Sequence, residues 1–364
     1  MNLQEVKPAP LGNVPGSPEN IRLMDFKPVS IFDSGRTEVS RAKFPVIDTH
    51  AHAWTKATDL HELVERMKDA NVEKAVILSF ETGTGFDAIV EQFSPFSNEF
   101  EIWCGFDYTG FETEGSAWID HALAELDRCH QLGARGVGEL GDKGLGEYYS
   151  RPVPGYGLHL DDKRLSPLLK RCGQLGMPVS IHIADPIWMY LPLDEKNDGL
   201  MNAYNWRIDH SRKNMLGYED LQASLEQAVQ AHPDTIFIAC HLANSTHQLQ
   251  RLGKLFDLYP NLFADLSSRL KEVGTVPRYA AAFFEQYQDR ILFGSDMGYD
   301  PEKNLDHATT IYQTSFRLME SADDHFYDHD FSKFHWPLYG LNLPDRVLQK
   351  IYRDNFLAIT NQGS

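Results

Sequence analysis

From Phe44 onward the chain repeats one pattern eight times: a short apolar run, then a segment of helical period. The runs are Pro45–Asp48, Lys74–Ser79, Glu101–Phe106, Gly136–Leu140, Pro178–Ile183, Thr235–Cys240, Leu262–Leu266 and Arg290–Gly294. Most are continuously apolar rather than alternating, as parallel strands covered on both faces require. The intervening stripes, such as Leu60/Leu63/Val64/Met67 and Leu165/Leu168/Leu169/Cys172, recur at helical spacing. Gly176 stands where a left-handed C-terminal cap belongs, Asn244 or Ser245 where the next helix is expected to start, and Pro344 opens the last one. Eight such units specify an α/β fold, a (β/α)8 TIM barrel. A doubly wound open sheet would expect a glycine-rich phosphate loop after the first strand, and Asp48-Thr49-His50-Ala51-His52 is not one.

Two connections are too long to be plain links, about 184–217 after the fifth strand and about 297–343 after the eighth. Both leave strand C-terminal ends, where barrels keep their sites, so they are expected to shape a pocket or lid. Residues 1–43, rich in Pro, Gly and Asn, read as an extension packed on the outside of a catalytic domain spanning 44–364. With 34 Lys+Arg against 52 Asp+Glu, the net charge of −18 argues against a nucleic-acid partner. No run is long and apolar enough to cross a membrane, and the N-terminus lacks a signal-peptide core. A cytoplasmic location is expected, with a secreted or periplasmic one as the alternative. Cys104, Cys129, Cys172 and Cys240 lie scattered in apolar runs, without a Cys-x-x-Cys, and read as buried free thiols.

The histidines carry the functional signal. His50 and His52 are two apart on a strand and so share a face, on which Asp48 is expected as well. His182 ends the fifth run, His241 the sixth and Asp296 the eighth. Five nitrogen and oxygen donors at strand C-terminal ends, from four strands, point to a divalent-metal centre.

These residues, in VIDTHAHAW, CHLAN, the GSD of strand eight and the closing IYRDNFLAI, resemble the amidohydrolase superfamily over about Phe44 to Thr360. The closer likeness is to its amidohydrolase-related branch, which includes aminocarboxymuconate-semialdehyde decarboxylase. The resemblance implies that His50, His52, His182 and Asp296 ligate one divalent metal ion, expected as zinc. It also implies that His241 acts on the substrate and that the chain forms a homodimer. Such an ion would acidify a bound water towards a pKa of ~7, with Asp296 as general base and His241 polarising a carbonyl or passing a proton.

Glu139 ends the fourth run, where binuclear members of the superfamily supply a bridging group. It is expected as a substrate or water contact beside one metal, with a second metal as the alternative. Lys143 lies in the following loop and is not expected to be a carbamate. Candidate pocket residues are Trp54, Trp188, Tyr190, Trp206 and Arg207, with Arg269 as a partner for a substrate carboxylate. The segment 325–336, with His325, His329 and His335 among acids, reads as solvated surface rather than a second metal site.

The expected activity is hydrolysis of an ester, lactone or amide of a small molecule by metal-bound hydroxide. The alternative is non-oxidative decarboxylation of an aromatic or unsaturated acid.

Overall fold

The computed structural model describes residues 18–52, 59–147, 151–206, 208–209, 211–298, 306–332 and 334–360. Each expected run becomes a strand: β1 Val46–His52, β2 Val72–Leu78, β3 Phe100–Trp103, β4 Val137–Asp142, β5 Val179–Ile183, β6 Phe237–Ala239 and β7 Leu262–Asp265. The eighth run yields only β8 Ile291–Leu292, and a further short strand, β9 Met297–Gly298, forms where the second insertion was expected to begin. All pairings are parallel, in the orders β3-β2-β1-β9 and β4-β5-β6-β7-β8. Two sets of backbone bonds join these sheets edge to edge. Cys104 N donates to Gly136 O at 3.1 Å and Gly138 N to Cys104 O at 2.9 Å. Thr49 N donates to Phe293 O at 3.0 Å and Asp296 N to His50 O at 2.8 Å. The result is a parallel eight-stranded TIM barrel whose neighbours follow chain order, which a doubly wound sheet cannot do.

Inside the barrel, Ile47, Val76, Leu78, Trp103, Ile238, Phe263 and Leu292 pack with Phe356 and Ile359 of the C-terminal helix. The larger core lies between strands and helices, whose stripes fall as expected: Leu60, Leu63, Val64 and Met67 are buried along the helix Leu60–Ala70. Asp59 starts that helix by accepting from His61 N and Glu62 N. Gly176 ends the helix Ser166–Leu175 at φ 65°, as its position promised.

Two capping expectations are corrected. The helix after β6 begins at Leu249 with Gln248 as its cap, because Asn244 and Ser245 are committed elsewhere. Asn244 Nδ2 donates to Ile183 O and Ala184 O, and Ser245 Oγ contacts Tyr218 Oη. Pro344 is the residue before the last helix rather than its first. All four cysteines are buried and free. Among the described residues no helix is long and apolar enough to cross a membrane.

Candidate metal centre

A slip in the β1–β2 register between Asp48 and Ala51 breaks the alternation of side chains along β1. His50 and His52 reach one space, whereas Asp48 turns away, correcting the shared-face expectation. Its carboxylate accepts from Ser295 N and Oγ at 2.9 and 2.5 Å and from Tyr312 Oη at 2.9 Å. Burial raises its pKa, against these bonds.

His50 Nδ1 faces Asp265 Oδ2 at 2.9 Å, and His52 Nδ1 faces Leu78 O at 3.0 Å. Those acceptors place the ring protons on Nδ1 in the neutral tautomers, so both Nε2 lone pairs point inward. The two Nε2 atoms lie 3.2 Å apart. Asp296 Oδ1 is 3.3 Å from His52 Nε2 and 3.6 Å from His50 Nε2. Glu139 Oε1 is 3.8 Å from His50 Nε2, and Oε2 is 3.7 Å from His52 Nε2. Nitrogen and carboxylate donors this close together call for a balancing positive charge, which a protonated imidazole or a bound cation can supply, and a divalent cation fits the donor set.

Glu139 lies at the middle of the cluster. Its Oε1 is 2.9 Å from His182 Nδ1 and 3.2 Å from His241 Nε2. The side chains therefore form overlapping groups able to hold a cation: His50/His52/Glu139, His50/His241/Asp296 and Glu139/His182/His241. None of these groups places His182 with His50 or His52, because Glu139 stands between them. The second nitrogen of His182 faces Asp185 Oδ1 at 3.3 Å, and that carboxylate also pairs with Lys143 Nζ at 3.2 Å.

The charges are consistent with such a site. Burial alone would raise the pKa of Glu139, but His182 and His50 hold it well below the carboxylate range. Asp265 is likewise buried yet brought to about 2 by the charge and hydrogen bond of His50. Asp296 is lowered against its own burial by His52, His241 and His50. His50 is raised, since Asp265, Cys240 and Glu139 outweigh its desolvation, whereas burial and the charge of His182 lower His241.

Sequence reasoning missed Asp265 and Ser267, which tie the cluster together. Asp265 Oδ1 accepts from His241 N and Ser267 N, and Ser267 O faces His241 Nδ1 at 2.9 Å. An aspartate inside an apolar strand, LFAD, carries no signal beyond its rarity there.

A cavity of about 640 Å³ opens onto the cluster. His52, Glu139, His182, His241 and Asp296 line it, with Phe80, Lys143, Arg151 and Trp206 around them. Phe80 stacks on His52 at 5.0 Å between ring centroids. Three proposed pocket residues do not line it. Trp188 is buried against Phe334, Tyr190 packs on Tyr218 with its hydroxyl at Asp185 N, and Arg269 is buried in an ion pair with Glu272. Trp188 and Tyr190 thus anchor their own loop, whereas Trp206 of the same insertion lines the cavity. Trp54 and Arg207 lie outside the described residues.

The family model for amidohydrolases matches residues 47–355. An uncharacterised TIM-barrel protein from Bordetella bronchiseptica superposes with a TM-score of 0.55 at 16% identity, covering 88% of this chain and all (100%) of its own. The 2,6-dihydroxybenzoate decarboxylase from Rhizobium gives 0.51 at 15%, covering 88% of this chain and 100% of its own. The 5-carboxyvanillate decarboxylase from Novosphingobium aromaticivorans, complexed with manganese, gives 0.50 at 12%, covering 90% and 100%. At these identities the likeness is one of fold. No curated protein matches the sequence.

Proposed function

The chain belongs to the amidohydrolase family, and from that premise we propose that it is a metal-dependent hydrolase of small-molecule esters, lactones or amides. Residues 44–364 are read as its catalytic domain and 1–43 as an extension. The observation that carries the proposal is the pair of inward Nε2 atoms of His50 and His52, 3.2 Å apart, facing the carboxylates of Asp296 and Glu139. His50, His52 and Asp296 would hold a cation, read as zinc from its imidazole-rich donors. Glu139 is shared between that position and His182 with His241, where a second cation is the alternative. Such an ion supplies Lewis-acid chemistry: it polarises a carbonyl and makes water a nucleophile near neutral pH.

The protein's own groups do the rest. Asp296 takes a proton from the attacking water as the oxygen adds to the carbonyl carbon. His241, fixed through Nδ1 by Ser267, presents Nε2 to the same space, where it takes up the proton that Asp296 has removed from the water and delivers it to the departing oxygen or nitrogen as that bond breaks. With the ion's charge offsetting those of Asp296 and Glu139, what favours hydrolysis is a carboxylate, Asp296, placed to take a proton from water.

Decarboxylation is kept as a second reading because Lys143 and Arg151 line the cavity wall and suit a carboxylate at its rim. Metal analysis with parallel pH-stat and carbon-dioxide measurements on a panel of esters, lactones and aromatic acids tests the choice. Acid release is expected; carbon dioxide with proton uptake would overturn it. Asp296→Asn, loaded with metal, should lose at least ~10²-fold in rate. His241→Ala should keep its metal while turnover collapses; wild-type turnover in either variant contradicts the assigned role.

A further inference from the structure

A second cavity, of about 620 Å³, lies on the other side of Asp296. It shares two wall residues with the first, Asp296 and Trp206. Both volumes fall within the ~300–1,000 Å³ usual for small-molecule sites. Trp206 ends the short helix Leu200–Trp206 and keeps 68% of its surface exposed, an unusual place for a large ring unless something covers it. Ser268 leans on Asp296 from this side, its Oγ donating to Oδ2 at 2.5 Å. A substrate whose reacting bond lies at Asp296 therefore has room for a sizeable group on each side.

The lining of the second chamber says what kind of group. The rings of Trp206 and Phe331 provide flat apolar faces, and Asn202, Ser268 and Ser315 provide neutral donors and acceptors. In the same wall Lys271 and Asp330 carry opposite charges, with His307 beside them, while Asp296 is turned to the proposed cation. An anionic ligand would meet Asp330 and a cationic one Lys271. A neutral group with an apolar face and many hydroxyls meets aromatic surface and hydrogen-bonding partners together.

We propose that this chamber is a binding site for a neutral polyhydroxylated, sugar-like group, which forms the part of the substrate beyond the scissile bond. The second half of that statement rests on the hydrolase reading; the first does not.

Ile311, on the helix Asp306–Glu320, lines the chamber but not the cavity at the histidines. Ile311→Trp fills the chamber from that side. Binding of methyl glucoside is measured by saturation-transfer NMR and calorimetry, with methyl glucuronide as the anionic control. Hydrolysis is measured on a methyl ester and a glucosyl ester of one acyl group. Wild type should bind the glucoside, and Ile311→Trp should bind it at least ~10-fold more weakly. The ratio of kcat/KM for glucosyl over methyl ester should fall by a similar factor in the variant. If Ile311→Trp does not fold, Asn202→Ala, which removes an amide from the wall, takes its place with the same expectation.

Absent binding in wild type, equal binding in wild type and variant, or tighter binding of the glucuronide would overturn the site. Glucoside binding lost in the variant, with neither ester hydrolysed, would uphold the chamber and reject the hydrolase. Hydrolysis of both esters at an unaltered ratio would reject the chamber and leave the hydrolase standing.

Discussion

Asp265 shows how much of the site a single residue can organise. It is fully buried, and its two oxygens serve different partners: Oδ2 the His50 ring, Oδ1 the backbone of His241 and Ser267. One carboxylate thus orients a proposed ligand and sets the turn that presents the proposed proton carrier. Outer partners of this kind typically alter metal affinity by ~10–100-fold when removed. Asp265→Asn keeps the shape but loses the charge, and should weaken metal retention in chelator competition by that factor. Unaltered retention would show that Asp265 is only structural. The histidines and Asp296 were legible because they follow apolar runs and share one height in the barrel. Asp265, Lys143 and Arg151 were not, because their meaning depends on which strands and loops become neighbours. Asp48 misled for a local reason: a register slip within β1 reverses the face that alternation assigns.

At the scale of elements, the eight runs were readable because burial on both faces forces continuous apolar sequence. The rim of the barrel was not. Left-handed backbone occurs at Phe80, Ala184, His241 to Asn244, Ser268 and Asp296, just beyond the strands that carry the cluster. None is glycine, and each such residue costs on the order of 1 kcal/mol or more. Tertiary bonds hold them, as Asn244 does to Ile183 O and Ala184 O, and no local propensity announces that. A second inter-element tie yields a pH prediction. Glu125 of the helix Trp118–Gln131 accepts from Gly83 N at 2.7 Å and from Arg128, which also reaches Asp87 at 2.7 Å. Burial opposes its ionisation, but the Arg128 hydrogen bond and its neighbours bring its pKa from 4.5 to about 2. A folded value below the unfolded one gives stability that is complete above pH ~4.5 and lost as pH falls towards ~2. In Glu125→Gln that acid dependence should flatten, at a cost of about 2 kcal/mol at neutral pH. Denaturant midpoints measured from pH 2 to 7 check it; parallel curves for wild type and variant would refute the assignment.

Across the whole molecule, the described part of the N-terminal extension is tied to the insertion that follows the eighth strand, nearly the full chain length away. Ser30 Oγ contacts His325 Nδ1 at 3.3 Å, Ser34 Oγ donates to Asp324 O at 3.2 Å, and His329 Nε2 donates to Pro28 O at 2.8 Å. Asp323 is the firmest point: it accepts from Thr37 N at 2.9 Å and Thr37 Oγ1 at 2.5 Å, and from Arg317 Nε at 2.7 Å. The histidines of the segment 325–336 are half-buried against the extension, which corrects the expectation of a solvated surface there. Arg317 also lies over the Phe326 ring at 3.7 Å, so the guanidinium is held by packing as well as charge. These roles separate by mutation. Thr37→Val removes a side-chain bond at an exposed position and should leave global stability within ~0.5 kcal/mol. It should nevertheless speed protease cleavage between residues 18 and 40, because the ties that remain are single hydrogen bonds at the surface. Asp323→Ala strands the largely buried Arg317 and should cost ~1–3 kcal/mol besides freeing the extension. Thermal melts and limited proteolysis of the two variants test the pair of claims. Cleavage of Thr37→Val at the wild-type rate would show that the bond from the Thr37 hydroxyl to Asp323 does not tether the extension, whatever Asp323 contributes to the fold through Arg317.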